Sequence, residues 1–293
     1  MDFSTFLQLL IGATADGILL GGFYAAVSVG VAISFGMLDI VNIAHPAFII
    51  LGAYAAFLAN RQLGLDPIAA AFVMLPVFFA LGAAVYQTYY LVFERRGDEA
   101  LRGLAFFFGL LFVIEVSLIL MFGVDYRFVN ADYVNIVRDY GPIHLPLRTV
   151  VPFGVSVALV TALQLFLSRT FTGRAIMAVS QDRLALQLMS VDPRRIKRIA
   201  FGISIATAAF AGAFLIIIQP VQPSMGRDYI GRIFAICVLG GLGSFPGMVA
   251  AAILLGVVES ITSTFAGPSW SPAVSFGVLL LTLALRPSGI MGR

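Results

Sequence analysis

Apolar positions along this chain fall in long continuous runs rather than in alternation. Residues 17–38, "GILLGGFYAAVSVGVAISFGML", carry no charge. As a helix they extend about 33 Å at 1.5 Å per residue, enough to cross a hydrocarbon core of about 30 Å. Charge-poor runs recur at about 67–93, 103–122, 150–168, 199–218, 230–262 and 271–285. Only helices and closed barrels satisfy their backbone in lipid, and a barrel strand would alternate. The pattern predicts an all-α fold, a polytopic transmembrane helical bundle of about 8 spans, forming one domain over residues 1–293.

Two of the runs are interrupted. Residues 39–54, "DIVNIAHPAFIILGAY", and residues 240–247, "GGLGSFPG", place Gly, Pro and polar residues amid small apolar ones. Such interruptions predict broken or re-entrant helices, which in transporters occupy corresponding positions of two repeats and line the solute path. The correspondence rests on layout, since the two halves share no residue-level identity. Path lining is expected of Asn42, His45 and Pro46 at the first break and of Gly240, Gly241, Gly243 and Ser244 at the second. Asn42 can donate and accept, and Pro46 lacks the N–H that would engage the carbonyl four residues earlier. The plainer alternative is that Asn42 makes an interhelical hydrogen bond and Asp39 caps the break. Glu115 must face the bundle interior, because a lipid-facing carboxylate at mid-span is costly. It is a path residue, the structural partner of an arginine or a neutral acid. Glu259, near the end of its run, reads as structural. Gln219 and Gln222 lie between prolines at a loop, as a gate, a contact for a binding protein or a plain loop.

Composition fits this picture: of 293 residues, 60% are hydrophobic and 11% charged, with a mean hydropathy of +1.00, well above soluble domains. Charge adds orientation. Segments 94–102, 169–198 and 286–293 hold three, seven and two of the 18 lysines and arginines, which places them on the cytoplasmic side. Loops 60–66, 123–148 and 219–232 then lie outside, the second being the main outer loop. Run 230–262 must enter and return, turning at 240–247. The N-terminus is outside if 17–38 and 40–59 both cross, and inside if 40–59 dips in and returns. "MDFSTFLQLL" lacks the basic start of a secretory signal, and the lone Cys237 permits no disulfide within the chain.

The largest inner segment, 172–202, reads "TGRAIMAVSQDRLALQLMSVDPRRIKRIAFG". Its middle has helical spacing, with Leu184, Leu188 and Met189 on one side and Arg183 and Gln187 on another; Pro193 ends it. This is either a dock for a soluble partner or an interfacial helix on anionic lipid. Three stretches carry a family resemblance: "GGFYAAVSVGVAISFGMLDIVNIAHPAFIILGAY", "GRAIMAVSQDRLALQLMSVD" and "VLGGLGSFPGMVAAAILLG". With the terminal "LRPSGIMG" they cover about a third of the chain. In this order they resemble the permease subunits of Liv-type branched-chain amino acid ABC importers. The resemblance implies a multi-pass protein of the bacterial inner (plasma) membrane. It implies a second permease subunit, identical or homologous, two cytoplasmic ATPase subunits and an extracytoplasmic solute-binding protein. It implies that 172–202 holds the coupling helix, with Asp182, Arg183, Leu184, Leu188, Met189 and Ser190 at the ATPase. Two positions depart from the family pattern, where glycine usually follows the histidine and the coupling helix; Pro46 and Ser190 stand here.

The only lysine, Lys197, lies between Ile196 and Arg198, so no Walker loop can be built and the ATPase must be a separate chain. With His45 and His144 the only histidines, neither a paired-histidine zinc signature nor a His-rich metal cluster can be assembled. Asp39 and His45, six apart, fall on opposite sides of a helix. The expectation is a non-enzymatic permease without cofactor, metal or nucleic-acid partner. The alternative is an ion-gradient-driven secondary transporter acting alone, with Glu115 or Glu259 as its cation site.

Overall fold

The computed structural model describes residues 2–96, 100–141, 143–179, 181, 183–286 and 288–291; the side chains of residues 96, 100, 140, 143, 144 and 183–185 lie outside that description. Helix α1 (Phe3–Ser34) is followed by an irregular break and α2 (His45–Leu63), then α3 (Pro67–Val92) and α4 (Ala100–Phe122). A short hairpin, β1 (Val137–Tyr140) against β2 (Ile143–Pro146), leads into α5 (Leu147–Arg169), the short α6 (Phe171–Ala178) and α7 (Arg183–Leu188). The chain continues through α8 (Pro193–Ile218), α9 (Gly226–Gly240), α10 (Phe245–Ala266) and α11 (Ser271–Leu285). Seven of the described helices are long and apolar enough to cross a membrane. Helices α2, with 19 residues, and α9, with 15, pack among them.

Helices α1 and α8 are its centre: 83% and 89% of their most apolar windows are buried, against 22% for α3, α4 and α5. Small residues let the central backbones approach closely, since helix association in lipid rests on packing rather than on a hydrophobic drive. Gly17 and Gly21 of α1 lie directly on Val257 and Ile253 of α10, so these helices run antiparallel. Gly52 of α2 packs on Ala209 of α8, and Gly212 packs back on Ile49 and Ala53. The outer helices instead turn residues such as Val77, Val113, Leu120 and Leu280 outward, the apolar exterior a bilayer requires.

The loops gather at two ends. At the hairpin end, Arg127 and Val221 exchange backbone hydrogen bonds of 2.8 Å, the Asn60 amide donates to the Asn130 carbonyl, and Tyr133 donates to Asp66. Phe6 stacks near Phe265 at 5.2 Å, so the start of α1 belongs to this end as well. Helices α1 and α2 therefore run down and back, the first of the two arrangements the sequence allows. At the other end sit α6, α7 and the start of α8. There Lys197 donates to Glu94 at 2.5 Å, and Glu94 also accepts from Tyr86 at 2.8 Å.

Both breaks exist, but the first is displaced. Its irregular stretch is Phe35–Ala44, ahead of the proline, and His45 and Pro46 open α2, where a proline costs no hydrogen bond. The Asn42 carbonyl accepts from the His45 N–H at 3.2 Å, so Pro46 does not leave it free. Pro193 likewise starts α8, behind an Asp192 cap on the Arg194 N–H at 2.9 Å. Asp39 is exposed with φ of 57°. In the second break Gly241 and Gly243 take φ of 93° and 81°, a region open to glycine, and the Ser244 hydroxyl accepts from the Gly247 N–H. The two breaks meet: a Cβ on Gly36 would stand 2.8 Å from the Gly243 nitrogen. The C-terminal tail seals the joint, as Ile290 and Met291 donate to the last carbonyls of α9, Leu239 and Gly240, at 2.7 and 3.3 Å.

Candidate functional site

Two cavities open at opposite ends of the bundle and share no lining residue. The one at the hairpin end, about 620 Å³, lies between α1, α9 and α10, beneath Pro146 and Arg148. The other, about 540 Å³, lies at the α6 end and is lined by Gly36, Met37, Gln164, Gln181, Gly243 and Ser244. Along α1 the lining of the first stops at Tyr24, and that of the second begins at Gly36 in the break beyond the helix. Residues 25–34 between them are all buried.

A polar network lines the hairpin-end cavity. Glu259, 2% exposed, accepts from Tyr24 at 2.6 Å, from Ser275 and from Arg232. The Arg232 contact runs through one nitrogen, Nε, at 3.1 and 3.3 Å to the two carboxylate oxygens, while Nη1 donates to the Asp228 carbonyl. Tyr229 lies beside it, accepting from Gln219 at 2.9 Å. Leu19, Leu20, Leu215 and Ile218 supply an apolar wall. Sequence reasoning missed Tyr24, Asp228 and Arg232, although a signal existed. Arg232 and Glu259 are opposite charges within one apolar run that has to fold back on itself.

The expected path residues divide. Gly243 and Ser244 line the α6-end cavity, whereas Gly240 packs on Met248 and Gly241 on Gly289. Asn42, His45 and Pro46 are buried and line neither cavity. The His45 ring lies against Gly30 with Nε2 3.3 Å from the Val27 carbonyl. Its Nδ1 and both amide atoms of Asn42 have no partner among the described residues, so the plain interhelical hydrogen bond is not made. Glu115, 5% exposed, is held bidentately by Arg227 at 2.5 and 2.9 Å, with that guanidinium 5.1 Å above Phe112. It ties α4 to α9, as the arginine-partner alternative has it.

In segment 172–202, where the coupling helix is expected, α7 is a short helix of six residues. Leu186 is buried, and Leu188 and Met189 are 79% and 71% exposed. Ser190 takes φ of 60°, the conformation that favours the glycine expected there. Asp182 lies outside the described residues, as do the side chains of Arg183 and Leu184.

Residues 13–283 match the family described as branched-chain amino acid transport system, permease component. The chain is 28% identical to the high-affinity branched-chain amino acid transport permease protein BraD of Pseudomonas aeruginosa, over 98% of this chain and 96% of that one. It is 26% identical to LivH of Escherichia coli over 100% and 97%, and 26% identical to LivM of the same organism over 95% and 70%. No solved structure matches it. With a family match across nearly its whole length and helices built to cross a membrane, this chain belongs to the permease components of the branched-chain amino acid transport family.

Proposed function

We propose that this chain imports branched-chain or chemically related amino acids as one half of a permease pair. The α6 end faces the cytoplasm, and separate ATPases drive the pair by alternating access. One observation carries this reading. Two disjoint cavities open at opposite ends of the bundle, and the backbone breaks of α1–α2 and α9–α10 touch at the inner one. A path closed in the middle and entered from either side is what alternating access needs, and irregular backbone at a joint supplies the pivot. Likeness to both LivH and LivM supports pairing with a second permease. The exposed Leu188 and Met189 form the ATPase contact, and a solute-binding protein docks over the hairpin end. Asn42 and His45 join the path in the state that lets solute pass, where their unpaired groups gain partners.

The secondary-transporter alternative has less support, because both candidate carboxylates are already paired with arginines. Proteoliposomes holding this permease, its partner permease and the ATPases should take up leucine only with ATP inside and binding protein outside. Uptake by this chain alone, driven by an ion gradient and indifferent to ATP, would overturn the proposal.

A further inference from the structure

The hairpin-end cavity brings together guanidinium groups, carboxylates and an apolar wall around a volume of about 620 Å³. That volume falls within the range of small-molecule sites. We infer that this cavity is a binding site for an α-amino-acid zwitterion. Arg232 takes the carboxylate, Glu259 and Asp228 take the ammonium, and Leu19, Leu20, Leu215 and Ile218 receive an aliphatic side chain. The inference rests on the amino-acid permease reading.

The contrast between this ion pair and Arg227–Glu115, whose arginine is half exposed, is what singles it out. Arg227 engages Glu115 through two nitrogens at 2.5 and 2.9 Å, a completed fork that leaves the carboxylate nothing further to gain. Arg232 meets Glu259 through Nε alone, at the long distances of 3.1 and 3.3 Å, so the guanidinium keeps donors for another carboxylate. Glu259 also accepts from Tyr24 and Ser275, which hold it in place when Arg232 turns to a ligand. In the empty site, where Asp16, Arg148 and Asp228 line the same cavity, Arg232 and Glu259 neutralise each other. A zwitterion entering between them replaces one loose pair with two and adds no net charge, so the low-dielectric setting favours it over an ion of either sign. A ligand lacking either charge leaves one partner buried and unmatched.

The test uses the purified complex with its ATPases and partner permease, in a background where Cys237 is replaced by alanine. A single cysteine at Ser263, on the cavity wall, reports occupancy through its rate of reaction with a small thiol reagent. Leucine should slow labelling. 4-Methylpentanoate, which lacks the amine, and isoamylamine, which lacks the carboxylate, should not. Arg232→Lys and Glu259→Gln should each raise the protecting leucine concentration about tenfold or more, with assembly intact. Tyr24→Phe, the mildest change, should raise it less. Equal protection by all three compounds would reduce the site to an apolar pocket, and absence of protection by leucine would remove it from the path. Either result overturns the inference. Leucine uptake measured on the same complex separates the two levels: ATP-driven uptake without protection leaves the permease reading standing, and loss of uptake in the unsubstituted complex defeats that reading itself.

Discussion

Single residues set how firmly this bundle is tied. Lys197 and Glu94 have side chains only 4% and 9% exposed, so each charge depends on the other, and losing one partner of such a pair costs about 3–5 kcal/mol. Lys197→Met should sharply lower the thermal stability of the purified permease, and the double change Lys197→Met with Glu94→Gln should recover much of it; a scan of both variants decides. At the left-handed Ser190, Ser190→Gly should leave stability intact, while Ser190→Val, β-branched and confined to negative φ, should cost about 1–2 kcal/mol in the same scan. Asn42 presents the opposite case, a buried amide without a partner among the described residues. Replacing it by leucine removes an unmet desolvation cost, so Asn42→Leu should melt no earlier than the parent chain. On the proposed path role of Asn42, ATP-driven leucine uptake should nonetheless fall. Unchanged uptake would make Asn42 a residue of the fold alone. Residue types were legible at this scale wherever chemistry forced them inward: Glu115 had to be interior and is. Its partner Arg227 was not legible, because the sequence does not say which arginine lies beside α4 once the chain is folded.

Elements were read well where length and charge bounded them, and poorly where backbone chemistry chose between equivalents. The return at 240–247 follows from parity of crossings and is found between α9 and α10. The first break was read as a proline interruption, yet the proline starts a helix, and the irregular stretch lies ahead of it at Phe35–Ala44. A helix break and a helix start carry the same residue, and only the preceding backbone distinguishes them. The hairpin of β1 and β2 was unread inside a loop called outer on charge alone. The tail "LRPSGIMG" was carried only by resemblance, and its physical role is now plain, since it hydrogen-bonds the C-terminal carbonyls of α9. Gly289, with φ of 76° and its Cβ position 2.5 Å from the Gly241 nitrogen, leaves no room for a side chain. Gly289→Val should detach the tail and expose the joint of the two breaks, seen as faster proteolysis at the C-terminus and slower ATP-driven uptake.

At the scale of the whole molecule, two independent lines bear on how the chain sits in its membrane. Arginine-rich segments 94–102 and 169–198 point inward by the positive-inside rule, and contacts in the bundle place α6, α7 and the Lys197–Glu94 pair together at one end. The hairpin, the loop around Asp66 and the start of α1 gather at the other. Because α1 and α2 pass down and back, the N-terminus must share the side of loop 60–66, which charge counting alone left open. With Cys237 replaced by alanine, single cysteines at Phe3, Val134 and Ile136 should therefore react with an impermeant thiol reagent added to intact cells. Cysteines at Leu188 and Met189, both highly exposed, should react only after the membrane is opened. Labelling of Leu188→Cys from outside would invert the bundle, turn the charged cavity of Arg232 and Glu259 toward the cytoplasm, and make it the exit for solute rather than the entrance. Labelling of Val134→Cys but not Phe3→Cys would instead mean that α1 and α2 do not both cross, and would separate the N-terminus from the loops it packs beside.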